Sequence, residues 1–365
     1  MKSYNAFGKS VFSKALLILL LLLCSLSAYA ESRWVTGTHS EELGMVLSDR
    51  IRPRIYLADS ANGELVVIDS TTEEVVKRIA VDVSITDMAI SKHNKRLDVV
   101  ANGTVYSIEL NKLSVIRTYN IPTDDGGKPV RSVAFNHNNQ IFAVSLNGDS
   151  EYDLRSDIYL LNWSGTEVIT TFVGDATHGF YTGLLKTDPT GTILYVGEQG
   201  VSPMSIHKFD VQNYDNPVYL GDGEHGSLGS NLKDFAVSPR YNEIYIASGS
   251  PYGIQVVDAD TLEQLSIYTT GAYPAGTAIS PLGDKVYGLR SSAYENFLYE
   301  FDVETDTLIN EYPLLSNVLN GKAVARGITV DVFGEKAFVV HGNNYPSYTS
   351  MDLQVIDLNL LSCGD

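Results

Sequence analysis

The chain is poor in cysteine and in basic residues, and each shortage excludes a class of protein. It has 2 cysteines, Cys24 and Cys363, in 365 residues. Two are too few for a disulfide scaffold, and their positions near opposite ends of the chain exclude a Cys-x-x-Cys-His haem attachment and a cysteine-based zinc site. Lysine and arginine total 26 against 44 aspartate and glutamate, and the formal net charge is −18. Because nucleic-acid backbones are bound by basic surfaces, we expect no nucleic-acid partner.

Long apolar runs are also scarce, and the one at residues 15–24 is too short to span a membrane. These ten residues would reach about 15 Å as a helix, whereas the hydrocarbon core of a bilayer is about 30 Å thick. Three lysines precede the run, and Ala-Tyr-Ala follows it at 28–30. This is the pattern of a cleaved export signal, so we expect residues 1–30 to be a signal peptide.

The mature protein is then residues 31–365, a single domain with charge −21, because three lysines and no acidic residue leave with the signal. We expect it in the periplasm or outside the cell, as a monomer without a transmembrane span. Attachment to lipid at Cys24 is an alternative, although Leu23 stands where a small residue usually precedes a lipidated cysteine. If Cys24 is removed, no internal disulfide can form and the fold depends on its core.

A short element recurs seven times: a small residue, then alternating apolar residues, then a polar stop. Successive copies begin 43, 45, 51, 51, 42 and 51 residues apart. A polar turn and further runs rich in Val, Ile, Tyr and Phe follow each copy, as at 54–58, 65–69 and 75–79. The first residues of the copies are Gly44, Asp87, Ser132, Gly183, Asp234, Gly276 and Gly327.

Four short strands every ~40 to 50 residues are the sequence signature of a β-propeller blade. We therefore predict an all-β fold, a seven-bladed β-propeller with four antiparallel strands in each blade. The third run of each unit ends in an acidic or amide residue, such as Asp69 or Asp258. A carboxylate there can accept backbone N–H groups and start the turn into the fourth strand. We interpret these residues as turn formers and not as catalytic groups.

Three units in the second half of the chain carry the clearest local motifs. Asp-Pro-Thr-Gly at 188–191 and Ser-Pro at 238–239 and 280–281 are each followed by a strand with a central tyrosine. These units resemble the YVTN-type propeller repeat of lactonase-like and surface-layer-like propellers, over about residues 44–357. The resemblance implies the propeller fold. It leaves function open, because such propellers bind ligands, scaffold partners and occasionally catalyse.

The seventh unit lacks a fourth strand of its own, because only eight residues follow its third run at 353–357. The β-prone segment 32–37 precedes the first repeat and belongs to no unit. Since an open strand edge leaves backbone groups unpaired, we predict that the chain ends close the ring. Residues 33–36 should form the outer strand of blade seven beside 353–357, with Trp34 packed inward.

Loop length selects one face of the propeller as the candidate binding face. Turns between the first and second strands are short, whereas the connections on the opposite face are longer. Functional residues concentrate in long loops on a rigid scaffold, so we expect the ligand on this long-loop face. The longer connections are 146–157, 197–204, 221–231, 290–296 and 341–351.

The residue before each first-strand copy should stand at the mouth of the axial channel on the long-loop face. Three of the seven are cations, which favours an anion-binding mouth for a carboxylate or phosphate. The alternative is that they pair with Asp87, Asp234 or neighbouring carboxylates. The seven residues are Leu43, Thr86, Arg131, Thr182, Lys233, Ala275 and Arg326.

Further candidates lie in the same loops. His178 and His225 are close in sequence to acidic residues and fit either a general base or a loop histidine bonded to backbone. Tyr181 is one of several loop tyrosines that could stack on a sugar ring. The acidic stretch 149–153 could supply oxygen ligands to Ca²⁺, but it lacks a full calcium loop, and a solvated acidic loop is the alternative.

No nucleophile elbow, phosphate loop, haem motif or zinc motif is visible in the sequence. We therefore expect a non-catalytic module without a cofactor, which binds a small anionic ligand or a protein partner through the long-loop face. The alternative is a periplasmic lactonase-like hydrolase, which the resemblance implies, with its site over the axial channel. A quinone-dependent dehydrogenase is a third class, but the sequence gives it no specific support.

Overall fold

The computed structural model describes residues 31–119, 129–146, 155–164, 167–173, 180–181, 183–223, 228–291, 296–315, 322–343 and 350–358. These ranges contain 29 strands and no helix. Consequently, none of the described segments is a helix long and apolar enough to cross a membrane. The signal-peptide prediction for residues 1–30, the lipid-anchor alternative at Cys24 and the predicted free Cys363 all concern residues outside the described ranges.

The strands form seven antiparallel sheets, and the prediction of a seven-bladed β-propeller is confirmed. Strand β1 (Ser32–Trp34) belongs to the last blade. Blade 1 is β2 (Leu43–Ser48), β3 (Arg54–Asp59), β4 (Glu64–Asp69) and β5 (Val75–Ala80). Blade 2 is β6 (Ile85–Ile90), β7 (Arg96–Ala101), β8 (Thr104–Glu109) and β9 (Ser114–Tyr119). Blade 3 is β10 (Val130–Phe135), β11 (Ile141–Leu146), β12 (Arg155–Ser164) and β13 (Glu167–Val173), with β14 (Phe180–Tyr181) added beside β12.

The remaining blades follow the same order, from the axis outward. Blade 4 is β15 (Gly183–Thr187), β16 (Ile193–Glu198), β17 (Ile206–Asp210) and β18 (Val218–Asp222). Blade 5 is β19 (Ser230–Val237), β20 (Glu243–Ser250), β21 (Gly253–Asp258) and β22 (Gln264–Thr269). Blade 6 is β23 (Pro274–Ile279), β24 (Lys285–Arg290), β25 (Phe297–Asp302) and β26 (Thr307–Pro313). Blade 7 is β27 (Lys322–Val330), β28 (Lys336–Asn343), β29 (Ser350–Asp357) and β1.

The hydrophobic core lies between neighbouring blades. Tyr56 and Leu65 of blade 1, for example, pack in one cluster with Met88 and Leu97 of blade 2. Because each blade is covered on both faces, its middle strands are almost continuously apolar and buried. The inner strands β2, β6, β10, β15, β19, β23 and β27 contact one another in that order and close the ring around a central axis.

The polar residue at the end of the third strand makes the turn that was predicted. The Asp69 carboxylate accepts the backbone N–H groups of Thr71 and Thr72 at 2.8 and 3.0 Å. Asp258 does the same in blade 5. Asp357 of blade 7 is the exception, because no fourth strand follows it in the chain. Its carboxylate accepts a hydrogen bond from the Arg33 guanidinium at 2.7 Å instead.

The two ends of the chain close the ring, as predicted. Strand β1 pairs antiparallel with β29, with Arg33 opposite Val355. The strand begins and ends earlier than the predicted 33–36. The prediction that Trp34 packs inward is wrong: its side chain is 41 % exposed, and its ring lies 4.6 Å from the His341 ring. Val35 is the buried residue of this segment.

Candidate functional site

Five of the residues that precede the first-strand copies lie at bulges of the inner strands: Thr86, Arg131, Lys233, Ala275 and Arg326. In blade 3 the pairing of β10 with β11 shifts between Val130 and Ser132, so Arg131 has no cross-strand partner. The same shift skips Lys233 in blade 5 and Thr86 in blade 2. A bulge re-aims its side chain, so a shared position in the repeat does not give these residues a shared environment.

The structure does not arrange these residues as a uniform ring at the channel mouth. Leu43 and Ala275 are buried in the hydrophobic core between blades. Arg131 and Lys233 are exposed. Thr182 lies outside the described residues. Of the three predicted cations, Arg326 is the one whose side chain is largely buried.

Blade 7 carries a larger bulge that places Arg326. The register shifts between Ala323 and Ile328, where four residues of β27 oppose one residue of β28. Arg326 has a φ of 61°, in the left-handed region that costs a non-glycine residue about 1 kcal/mol or more. This conformation is held by the contacts of the side chain.

Arg326 reaches across the axis to carboxylates of two other blades. Its guanidinium donates hydrogen bonds to an Asp87 carboxylate oxygen and, at 3.0 Å, to the carbonyl of Thr86. Its Nε lies 4.0 Å from Asp234, which also accepts a 2.7 Å hydrogen bond from Lys186 Nζ. Burial alone would lower the pKa of Arg326, but the charges of Asp87 and Asp234 outweigh it and the pKa is raised.

We call Asp87, Lys186, Asp234 and Arg326 the axial cluster. Its two carboxylates also hold the backbone of the next blade. Asp87 Oδ2 accepts the backbone N–H of Val133 at 3.0 Å, and Asp234 Oδ2 accepts that of Thr277 at 3.3 Å. Inner strands present free N–H groups at the open edge of each blade, and buried donors of this kind need acceptors. The cluster therefore has a structural task, and its charges are already paired.

The other predicted site residues on the long-loop face are only partly within the described ranges. Tyr181 is 42 % exposed and pairs with Arg155 as part of β14. His178, His225 and the acidic stretch 149–153 lie outside the described residues. Among the residues that are described, no group of three His, Cys, Asp or Glu side chains has the geometry of a metal site. The lactonase-like alternative, which needs the two histidines, stays a prediction.

Blade 4 contains a buried histidine cluster that sequence reasoning missed. His207 lies 3.4 Å from a carboxylate oxygen of Glu198 and 3.7 Å from one of Asp222. Glu198 accepts the backbone N–H groups of Tyr181 and Ser205 at 3.3 and 3.2 Å. The cluster thus fixes strand β14 and the connection that leads into β17. Its sequence signal was a histidine opposite an aspartate on neighbouring strands.

A cavity opens at the opposite end of the axial channel, on the face of the short turns. Its volume is about 470 Å³, which is within the usual range of small-ligand pockets. The ends of five inner strands form its walls, with Leu47, Thr187, Val237, Ile279 and Val330 among the lining residues. These residues stand three or four positions after the first-strand starts, or roughly 10 Å along the strand from the axial cluster. We call this cavity the short-turn mouth.

All seven turns on this face have the same length and the same construction. They span residues 49–53, 91–95, 136–140, 188–192, 238–242, 280–284 and 331–335. In each turn the side chain of the first residue accepts backbone N–H groups further along. Asp49 Oδ1 accepts those of Ile51 and Arg52, and Asp331 Oδ1 accepts those of Glu335 and Lys336.

The second residue of the turn lines the mouth in every blade except blade 3, where it is His137. Six of the seven line it: Arg50, Lys92, Pro189, Pro239, Pro281 and Val332. The two cations come from neighbouring blades 1 and 2. The four apolar residues come from blades 4 to 7. One part of the rim is therefore basic, and the rest is apolar.

Arg50 and Lys92 make no ion pair and no hydrogen bond with any residue in the described ranges. Both project into the mouth, where the surrounding walls remove bulk water. This desolvation lowers the pKa of Arg50, although its side chain remains accessible. Desolvation is also the largest cause that lowers the pKa of Lys92, followed by the charge of Arg50, while Asp188 opposes the shift. Two like charges thus share one cavity.

The acidic groups of the mouth accept hydrogen bonds within their own turns, although the charges of Asp49 and Asp188 still raise the pKa values of Arg50 and Lys92 against desolvation. Asp49 and Asp188 hold their own turns, with Asp49 also accepting from Arg52 Nη1 and the Tyr56 hydroxyl at 3.1 and 2.8 Å. Asp188 accepts the backbone N–H groups of Thr192 and Ile193, both at 2.7 Å. Burial raises the pKa of Asp331, which weakens its tendency to carry charge. The arrangement can therefore accept an anion beside Arg50 and Lys92.

A signal for this site was present in the sequence. Aligning the seven turns by their first polar residue places Arg50 and Lys92 where three other units have proline. The predicted cations Arg131, Lys233 and Arg326 stand at the starts of the first strands, whereas Arg50 and Lys92 follow the ends of these strands. The bulges at Arg131, Lys233 and Arg326 give these predicted cations different environments, and the bulges leave no comparable pattern in the sequence.

Comparison with known proteins finds no family model that matches this sequence and no significant match among curated proteins.

Proposed function

We propose that the protein is an exported β-propeller that binds a small anion at the short-turn mouth and has no catalytic activity of its own. The β-propeller is typical of binding and scaffold modules, and fold alone goes no further. The observation that carries the proposal is the pair of cations Arg50 and Lys92, which lie in one cavity at the end of the axis and have no ion-pair or hydrogen-bond partner among the described residues.

An anion in the mouth would offset the repulsion between the two cations. Arginine suits bidentate contact with a carboxylate or phosphate, and lysine adds a point charge. Binding at this mouth differs from the expectation based on loop length, which selects the other face. Exposed Arg131 and Lys233 keep that expectation open to a direct test.

Export and family membership are part of the same proposal. The lysines, the apolar run and the Ala-Tyr-Ala sequence support cleavage after residue 30. The Ser-Pro turns and tyrosine strands of blades 5 and 6 support membership of the YVTN-type propellers. The mature monomer would have a net charge of −21, and the side of the short-turn mouth that carries Arg50 and Lys92 would be one of its basic regions.

Titration with inorganic phosphate and with acetate at constant ionic strength tests the proposal. The melting temperature of the wild-type protein should rise with anion concentration, because a ligand that binds only the native state stabilises it. The double variant Arg50→Gln/Lys92→Gln should lose this rise. The matched control Arg131→Gln/Lys233→Gln removes the same charge from the other face and should keep it. Equal responses in both variants, or none in the wild type, would contradict the proposal.

A further inference from the structure

The short-turn mouth is divided between blades. Its basic part, Arg50 and Lys92, lies on blades 1 and 2, and its apolar part lies on blades 4 to 7. The apolar part consists of three exposed proline rings and one half-buried valine: Pro189, Pro239, Pro281 and Val332.

The apolar surface continues outward from the mouth. The residues that follow Pro281 and Val332 in their turns are Leu282 and Phe333, which are 73 % and 58 % exposed. Ile51, at the same place in blade 1, is 60 % exposed. Blades 6, 7 and 1 are consecutive in the ring, so these three side chains form an arc beside the cavity. Single exposed apolar residues are ordinary, but contiguous ones next to a cavity mark a binding surface.

The depth of the cavity is also apolar. Leu47, Val237, Ile279 and Val330 form its inner wall. The wall thus offers apolar contact both inside the mouth and around its rim, while the basic contacts are confined to the side formed by blades 1 and 2. A small inorganic anion would leave most of the 470 Å³ unused.

We infer that the ligand is an amphipathic anion, a small molecule with a carboxylate or phosphate head and an apolar body. The head lies beside Arg50 and Lys92, and the body covers Pro239, Pro281 and Val332. This inference rests on the proposed function, since it assumes that the mouth binds an anion. An anionic membrane surface is disfavoured as the partner, because the mature protein would carry a net charge of −21 and repel it at long range.

A chain-length series tests the inference with probes of one head group. Dissociation constants are measured for inorganic phosphate and for methyl, hexyl and decyl phosphate below their micelle concentrations. Each methylene that enters an apolar site should tighten binding about three- to fourfold, until the body fills the mouth. Decylammonium, which has the same body and the opposite charge, should not bind.

Variants separate the two halves of the site. Val332→Ser/Phe333→Ser should flatten the dependence on chain length and weaken the affinity for decyl phosphate far more than the affinity for inorganic phosphate. Leu308→Ser/Ile309→Ser alters two exposed apolar residues on the outer strand of blade 6 and should change neither. Circular dichroism and melting temperature verify that each variant is folded.

Three outcomes would overturn the inference. If phosphate binds but chain length has no effect, the proposed function stands and the amphipathic ligand is rejected. If no phosphate or alkyl phosphate binds, both fail. If the protein sediments with phosphatidylglycerol vesicles but does not bind monomeric decyl phosphate, the surface docks on membranes and the small-molecule inference is wrong.

Discussion

The two ends of the axial channel hold their cations in opposite ways. In the axial cluster, Arg326 is 11 % exposed and forms an ion pair with Asp87. Its positive charge thus links blade 7 to blade 2. At the short-turn mouth, Arg50 and Lys92 face the same cavity, and the nearby Asp49 is engaged by its own turn. A cation that holds the fold together and a cation free to bind can thus stand along the same axis.

The difference follows from the local backbone. The bulge of β27 places Arg326 in a buried position, so this cation needs a carboxylate within reach. The turns at the strand ends are uniform, and their first residue keeps its polar side chain for backbone N–H groups. The side chains of Arg50 and Lys92, at the second position, have no partner among the described residues, and the residue type at this position varies from blade to blade.

The largest effect should come from removing the cation of the axial cluster. Arg326→Gly leaves Asp87 and Asp234 buried with less counter-charge, and breaking a buried pair typically costs about 3–5 kcal/mol. Glycine is chosen because it adopts φ near 61° without strain. The free energy of unfolding in urea measures the loss. A loss below about 1 kcal/mol would show that the cluster does not stabilise the ring.

A buried carboxylate away from both ends sharpens the comparison. Burial raises the pKa of Asp98 to about 6, against the opposing effects of Arg96 and Ser107. Its folded-state pKa lies above the unfolded one, so the stability it contributes is present at acid pH and lost as pH rises through about 6. Asp98→Asn should therefore raise the free energy of unfolding by roughly 1–3 kcal/mol at pH 7 and change it little at pH 4.

His341 of blade 7 titrates in a pH range that overlaps that of Asp98, so the effects of the two groups on stability must be separated. Burial lowers the pKa of His341 to about 4, so this histidine favours the folded state above pH 6.5 and destabilises it as pH falls towards 4. The two groups oppose each other between these values. A difference between wild type and Asp98→Asn at each pH isolates the aspartate, and an unchanged difference from pH 4 to pH 7 would refute its assignment.

Lysine titration provides a smaller effect at the mouth. The pKa of Lys92 is lowered, so Lys92 loses its proton at a lower pH than an ordinary lysine does. The affinity for phosphate should fall as pH rises through that lower range. The free energy of unfolding of the unliganded protein should rise over the same window, because the unfolded chain binds the proton more tightly. Lys92→Arg should hold its affinity to higher pH. Identical pH profiles for the two proteins would exclude Lys92 from the site.

The smallest effect is expected for stability at the mouth. Arg50→Gln removes one of two mutually repelling cations that form no ion pair among the described residues, so the free energy of unfolding should stay within about 0.5 kcal/mol or rise slightly. Arg326→Gly in parallel gives the contrast. A destabilisation of Arg50→Gln as large as that of Arg326→Gly would mean that the two ends are alike.

Much of the fold was predictable because the repeat encodes it locally. Alternating apolar runs defined the strands, and Asp69 or Asp258 marked the turns they make. Strand β1 could be predicted from the missing fourth strand of blade 7. The position of Trp34 could not, since an outer strand offers one face to solvent.

The candidate site was less predictable for a geometric reason. A bulge is one or more extra residues inside a strand, and its residues look like any others in the sequence. Nothing in the residues around Arg326 shows that four of them oppose one, or that the guanidinium reaches Asp87 two blades away. Arg50 and Lys92 lie in turns of constant length, where alignment of the repeats brings them together.

The location of a bound anion tests the central claim most directly. Crystals of the protein grown without sulfate or phosphate, then soaked in selenate, would show the anion by the anomalous scattering of selenium. The account predicts a selenate within hydrogen-bond distance of Arg50 and Lys92, and its loss in Arg50→Gln/Lys92→Gln. A selenate bound by Arg131 or Lys233 on the long-loop face, with none at the short-turn mouth, would contradict it.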